Sequence, residues 1–249
     1  MNLEALFRLF EGLRRQGPGT DRATREAIAR LPRLPENPVI LDLGCGAGAQ
    51  SLVLARELAA PITAVDIYRP YLDQLEQAAS DAGLGHLITT RQGDMADLKD
   101  IPPESVDLIW CEGAIFIAGF GRGLKLWRPL LKSRGLVVAS EMTWFVPDPP
   151  PEAVKYLQEV YPPLTTVENN LAAAAKAGYK VFDHFRLEPA GWQDEYYRPL
   201  REKIAALGPR ATTDSAMAQV IKDMIVEMDM YDRFGHSYGY VFFILQKAG

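Results

Sequence analysis

The sequence predicts an α/β protein built on a mostly parallel sheet with helices on both faces. Three observations carry this. Short, nearly unbroken apolar strands alternate with helical stretches through the first two thirds of the chain, the pattern of strands buried on both faces. The first of these strands breaks into a glycine-rich turn that leads directly into a helix. The chain has 249 residues, 48% of them apolar, which is enough to bury a full core. One domain over 1–249 is therefore expected, with N-terminal helices over 1–35 and a helical cap inserted over 192–233.

The elements follow in order. Leu3, Leu6, Phe7 and Phe10 recur at three- and four-residue spacing and predict an amphipathic helix that stops near Gln16-Gly17-Pro18-Gly19. Thr20 suits the N-cap of a second helix ending before Pro32. Val39-Ile40-Leu41 opens a strand that runs into Gly44-Cys45-Gly46-Ala47-Gly48, and a helix follows over about 50–59. Next come a strand over 62–65 and a helix over 70–82, with Pro70 in its first turn and Gly83 at its end. Further strands are expected over 87–90, 106–111 and 136–139. The last third departs from this rhythm. Strands near 181–187 and 240–245 enclose two helices, about 192–207 and 213–233, which suggest a cap over the sheet edge where ligands bind. Pro147-Asp148-Pro149-Pro150-Pro151 reads as a stiff loop before a helix.

Composition excludes several partners. The net charge is −5 and the Lys and Arg residues are scattered, so no basic field exists to hold a nucleic-acid backbone. Leu3 to Arg14 is interrupted by Glu4, Arg8, Glu11 and Arg14, unlike a signal peptide, and no 18-residue apolar run follows. A cytoplasmic protein with no membrane partner is expected. Cys45 and Cys111 have no metal-ligand spacing and read as reduced thiols; no metal is expected.

The glycine loop carries the chemistry. Glycines let the backbone turn sharply and approach a ligand closely, while the following helix aims its N-terminus at the site. Gly44, Gly46 and Ala49 formally satisfy a dinucleotide fingerprint, and Asp66 falls twenty residues after Gly46 where a ribose-binding acid belongs. Charge separates the alternatives. Asp42 sits two residues before the first glycine, where a pyrophosphate would be repelled but a sulfonium and an ammonium attracted. Asp66 ends the next strand, with Ile67 beside it, and would accept both ribose hydroxyls. Asp94 follows the third strand and would receive the adenine amino group, with Met95 against the ring. Glu112 ends the fourth. Four acids at successive strand ends describe a pocket for a cationic nucleoside.

Val39-Ile40-Leu41-Asp42-Leu43-Gly44-Cys45-Gly46-Ala47-Gly48 resembles motif I of class I S-adenosyl-L-methionine (SAM)-dependent methyltransferases, and the later acids fall in register with that family's next motifs. The resemblance covers about 37–145. It implies a Rossmann-like seven-stranded sheet with an antiparallel final strand, SAM as cofactor, and Gly44, Gly46, Gly48, Asp42, Asp66, Ile67, Asp94, Met95 and Glu112 around it. In the family the segment before motif I often folds over the cofactor, where Gln16 would hydrogen-bond its carboxylate. Gly191-Trp192-Gln193-Asp194-Glu195-Tyr196-Tyr197-Arg198-Pro199-Leu200 is similar to the cap of small-molecule methyltransferases of the ubiquinone-biosynthesis type.

Methyl transfer from a sulfonium needs chiefly alignment and exclusion of water. If the acceptor must lose a proton, candidate bases are Glu112, Glu141, His184 and His236, of which Glu112 and His236 are preferred. Phe116, Trp144, Trp192, Tyr196 and Tyr197 are expected to wall the acceptor, by cation–π attraction if it is cationic; Trp127 and Tyr231 are expected in the core. A small-molecule acceptor follows, unidentified. The rival readings are a catalytically silent SAM-binding regulator and an NAD-dependent oxidoreductase, the latter lacking the usual Tyr-x-x-x-Lys pair. A nucleic-acid amino-methyltransferase would carry Asn/Asp-Pro-Pro-aromatic after strand four, where this chain has Cys111-Glu112-Gly113-Ala114.

Overall fold

The structure is a computed structural model that describes residues 2–208 and 214–249. Two N-terminal helices come first, α1 (Leu3–Phe10) and α2 (Asp21–Ala29). The Asn2 side chain caps the first, and the Thr20 hydroxyl caps the second by accepting from Ala23 N–H at 2.9 Å. The strand-helix repeat follows as β1 (Ile40–Leu43), α3 (Ala49–Leu58), β2 (Ile62–Asp66), α4 (Arg69–Asp81), β3 (Ile88–Gln92) and β4 (Val106–Cys111). Every residue of β1 and β4 is buried, as strands covered on both faces must be.

After β4 come two short helices, α5 (Ile115–Ala118) and α6 (Phe120–Trp127), then a 3₁₀ turn and β5 (Leu131–Trp144). β5 is far longer than the apolar run 136–139. β8 (Tyr238–Lys247) gives it an antiparallel partner from Leu136 to Trp144, so Ser140, Glu141 and Thr143 stay in the ladder although they are polar. Cys111 at the end of β4 pairs with Ala139, so the tail of β5 projects past the parallel strands.

The remaining elements are α7 (Pro151–Val160), β6 (Thr165–Thr166), α8 (Val167–Lys176), β7 (Tyr179–Arg186) and the helices before β8. Strand order is β3-β2-β1-β4-β5-β8-β7, with β6 beside the end of β5. The seven expected strands are present and β8 is antiparallel to both neighbours. The sheet has eight strands because β6 adds a two-residue pairing, too short to leave a period in the sequence. The chain order reverses between β1 and β4, which opens a crevice at their carboxyl ends. One face of the sheet buries Leu54, Leu72, Trp110, Met224 and Phe242; the other buries Leu43, Ile109, Leu124, Trp127 and Phe243.

Between β7 and β8 the helix expected over 192–207 is three pieces: α9 (Pro189–Trp192), a π turn (Gln193–Tyr197) and α10 (Arg198–Leu207). The second expected helix is α11 (Ser215–Phe234), capped by Asp214; Thr213, its expected first residue, lies outside the described residues. α11 packs on α1, so the N-terminal helices and the late helices cover the same end of the sheet. Among the described residues no helix is long and apolar enough to cross a membrane.

Candidate cofactor and acceptor site

The turn after β1 is held from below. Gly44 and Cys45 N–H donate to Val65 O at 2.8 and 3.0 Å, which ties the loop to β2. Gly44 and Gly46 take φ of +69° and +53°, backbone that disfavours any side chain. A Cβ on Gly44 would stand 2.5 Å from Ala114 Cβ and 2.8 Å from Met95 Cε, and one on Gly46 would stand 2.4 Å from Gln16 Oε1. The space over these two glycines is thus bordered by movable side-chain ends, Met95 and Gln16. At Gly48, φ +76°, the crowding is with the Leu75 side chain of α4.

Each acid near this loop is bound by the protein. Asp42 is fully buried; the Ser51 hydroxyl donates to its Oδ2 at 2.5 Å and Gln50 Nε2 reaches its Oδ1 at 3.4 Å. Burial pushes its pKa up to about 7, with Glu112 and Asp66 adding repulsion. Asp66 at the end of β2 accepts from Gly46 N–H at 2.8 Å and Tyr68 N–H at 2.9 Å, and its pKa is raised by burial against those bonds. Ile67 beside it is 59% exposed, an apolar side chain on the rim. Asp94 is exposed and folds back onto Ala96 N–H at 2.7 Å, while Met95 is buried with its carbonyl held by Trp127 Nε1 at 2.9 Å.

The chain between α1 and α2 lies across the loop. Gln16 Oε1 accepts from Ala47 N–H at 2.7 Å while its amide donates to Leu13 O at 2.8 Å, and Gln74 on α4 donates to the same carbonyl at 2.9 Å. Arg15 is buried, bonds Asp21 at 3.0 Å and reaches Glu112 Oε2 at 3.5 Å; its Nε is buried without a partner. Glu112 also accepts at Oε1 from Thr24 Oγ1 and Trp110 Nε1, both at 2.8 Å. Glu112 therefore joins β4 to the N-terminal segment. Its pKa is raised by burial, with Arg15 opposing. Arg15 left no trace in the sequence because its partners, Asp21 and Glu112, meet it only through the fold.

Beyond the end of β4, Phe116 is 40% exposed and sets its edge against Tyr161 at 5.6 Å. Glu141 is buried beside Tyr161, whose hydroxyl donates to its Oε1, and burial pushes its pKa up to about 7. Trp144 packs edge-on to Tyr238 at 5.9 Å. Trp192, Tyr196 and Tyr197 are buried: Trp192 stacks on Tyr231 at 4.4 Å, Tyr196 on Phe10 at 5.6 Å, and the Tyr197 hydroxyl donates to Glu227 at 3.1 Å. Trp127 and Tyr231 are buried, as expected of core residues. His236 is exposed on the turn between α11 and β8, and His184 is exposed on the edge strand β7. Neither histidine is brought to Glu112. Cys45 and Cys111 are free and buried, and burial raises both thiols. Among the described residues no cluster of His, Cys, Asp or Glu could hold a metal ion.

Residues 40–135 match a family described as a methyltransferase domain. The match covers the strand-helix repeat from β1 into the start of β5, well under half of the chain. Dimethylglycine N-methyltransferase of Parasynechococcus marenigrum (strain WH8102) is 32% identical to it over 102 residues, 40% of this chain and 35% of that protein. The chain thus spans about a third of the length of that relative. A SAM-dependent methyltransferase from Geobacter sulfurreducens, solved with S-adenosyl-L-homocysteine (SAH), superposes with a TM-score of 0.82 at 20% identity, over 97% of each chain. Escherichia coli YjhP superposes with a TM-score of 0.84 at 22% identity, over 99% of this chain and 100% of that one. The whole chain takes the class I methyltransferase fold, and the residues matched by the family model include both the glycine loop and Glu112. Glu141 on β5 and Tyr161 after α7 lie beyond the matched residues.

Proposed function

We propose that the protein is a SAM-dependent methyltransferase acting on a small molecule. The observation that carries the reading is the loop over Gly44 and Gly46: positive-φ glycines, bordered above by the ends of Gln16 and Met95, with Asp66 and Ile67 on its rim. These residues fit SAM. Asp66 would turn its carboxylate from Gly46 N–H to the ribose hydroxyls, Ile67 and Met95 would sandwich adenine, and Asp94 would receive the adenine amino group. Asp42, below the loop, would act through its charge rather than by contact, since Ser51 and Gln50 already occupy it. Gln16 would exchange Ala47 N–H for the cofactor carboxylate. Bound SAM supplies an electrophilic methyl on a sulfonium.

The protein's own part is to orient an acceptor and exclude water. Phe116 and Trp144 would face the acceptor, with Trp192, Tyr196 and Tyr197 as the packed wall behind them. Of the candidate bases, Glu112 has both oxygens bonded to Thr24, Trp110 and Arg15 and His236 stands exposed on the turn that opens β8, so neither has a free buried acceptor to offer a substrate proton. The acidic sequence, with its scattered cations, supports a small acceptor in the cytoplasm over a nucleic acid. The test is transfer of label from methyl-tritiated SAM to a small-molecule cell extract, with duplex DNA and tRNA in parallel. Label in small products supports the reading. Label confined to nucleic acid contradicts it.

A further inference from the structure

Glu141 stands apart from the other buried acids of the cleft. It is 4% exposed at the projecting end of β5. Its Oε1 accepts from the Tyr161 hydroxyl and, at 3.2 Å, from Met142 N–H, but its Oε2 is buried with no hydrogen-bond partner. Asp42, Asp66 and Glu112, by contrast, each accept on both oxygens. An unpaired buried carboxylate oxygen is expensive, and a protein retains one where something else pairs it.

We propose that Glu141 anchors the methyl acceptor and takes its proton, and that the acceptor is a small amine presented as an ammonium ion. This rests on the SAM-dependent reading above. The neighbours of Glu141 select that class. On its face of the sheet stand Tyr161, whose hydroxyl donates to it, and Cys111 on β4, while Tyr240 on β8 lies on the opposite face against Trp192; among the described residues no lysine, arginine or histidine hydrogen-bonds to Glu141. The carboxylate charge is therefore uncompensated. An anionic acceptor would be repelled, and a neutral hydroxyl would satisfy the lone pair but not the charge. An ammonium N–H does both. Its hydrogen-bond partner Tyr161 is packed edge-on against Phe116 at 5.6 Å, so two rings stand on this side of the carboxylate.

Position agrees with the role. Ser140 Oγ accepts from Gly113 N–H at 2.7 Å, which seals the tail of β5 to the loop following Glu112. Glu141 is the next residue and faces the side of the sheet that bears α5. In the reaction the ammonium proton passes to Glu141 Oε2 and frees the nitrogen lone pair. That pair forms the new N–C bond as the C–S bond breaks and its electrons return to sulfur. The product carries the positive charge, and the Glu141 proton leaves to solvent. Glu141 near neutrality is suited to accept and release it.

The test offers methyl-tritiated SAM with separate pools of primary and secondary alkylamines, phenols, thiols and alcohols, alongside calorimetry with SAH. Label should enter the amine pool. Glu141→Gln should lower that transfer about a hundredfold with SAH affinity unchanged. Tyr161→Phe removes the donor that favours the Glu141 carboxylate, so the acid limb of its kcat/KM profile should move to higher pH. A merely structural role would leave that limb in place. Label only in the other pools, or none in amines although SAH binds, overturns the proposal, as does unaltered turnover in Glu141→Gln. If Glu141→Gln fails to fold, an unmoved limb in Tyr161→Phe overturns it. Wild-type protein that binds no SAH would instead overturn the SAM reading itself.

Discussion

Asp42 and Asp66 beside the glycine loop and Glu141 near the end of β5 all belong to strand ends, and burial raises the pKa of each. Their oxygens differ. Backbone N–H groups and the side chains of Ser51 and Gln50 occupy both oxygens of each aspartate, so these acids are fixed before any ligand arrives. Glu141 keeps one oxygen unpaired, and on the far face Trp192 keeps a buried indole N–H unpaired. A satisfied acid offers a fixed field and a defined geometry; an unsatisfied one offers a binding demand. On the proposed reading, the loop side would receive the same ligand every time, and specificity would reside around Glu141.

The largest effect should come from closing the loop side. Gly44→Ala forces a side chain into φ +69° with its Cβ 2.5 Å from Ala114 Cβ. Left-handed backbone costs roughly 1–2 kcal/mol and overpacking about 1–3 more. Denaturant unfolding should show a loss of about 2–5 kcal/mol, and SAM titration should give no heat. A variant that binds SAM normally would mean the cofactor does not approach this glycine.

Next is the pH dependence of stability, which reads the buried acids together. Asp42, Glu141 and Glu227 have folded pKa values pushed up to about 7. The folded state favours their protonated forms, so their contribution is full below the unfolded values near 4 and is lost as pH rises through 7. Asp21, Asp183 and Asp214 are lowered, and theirs is lost only at more acid pH. The Tm should therefore fall between pH 5.5 and 8, at about 1.4 kcal/mol per pKa unit separating the two states. Glu141→Gln should flatten the fall by removing one of the three groups. A Tm that rises over this interval would contradict the burial of these acids.

Smaller effects separate contact from field. Asp66→Ala should weaken SAM binding by about 1–3 kcal/mol through lost ribose hydrogen bonds, and unchanged affinity in calorimetry would remove Asp66 from the site. Asp42→Asn should weaken SAM more than a neutral nucleoside, because Asp42 acts by charge; equal losses would defeat that account. Gln16→Ala should cost the least, about 1 kcal/mol or below, because its bond to Ala47 N–H in the free protein offsets the bond it would make to the ligand.

The same comparison explains what the sequence could reveal. β1, the glycine turn, β2 and β4 were legible because each is a local pattern: an apolar run, a glycine cluster, an acid closing a strand. The apolar run 106–111 coincides with β4 to the residue. The length of β5 was hidden, since its polar tail is strand only because β8 lies alongside it. The π turn over Gln193–Tyr197 interrupts what reads as one helix, and nothing in the local spacing announces it. Arg15 against Glu112 and Tyr161 against Glu141 join residues far apart in the chain, and a single sequence holds no signal for either pairing. Rings read as an acceptor wall, such as Tyr197, share their helical spacing with core rings, and burial decides between the two.

The account rests on the loop over Gly44 and Gly46 holding a sulfonium nucleoside. Calorimetric titration of the purified protein with SAM, SAH and NAD in parallel tests this without knowledge of the acceptor. Micromolar binding of SAM and SAH with none of NAD is the predicted result. Binding of NAD alone would contradict the role given to Asp42, and with it the methyltransferase reading.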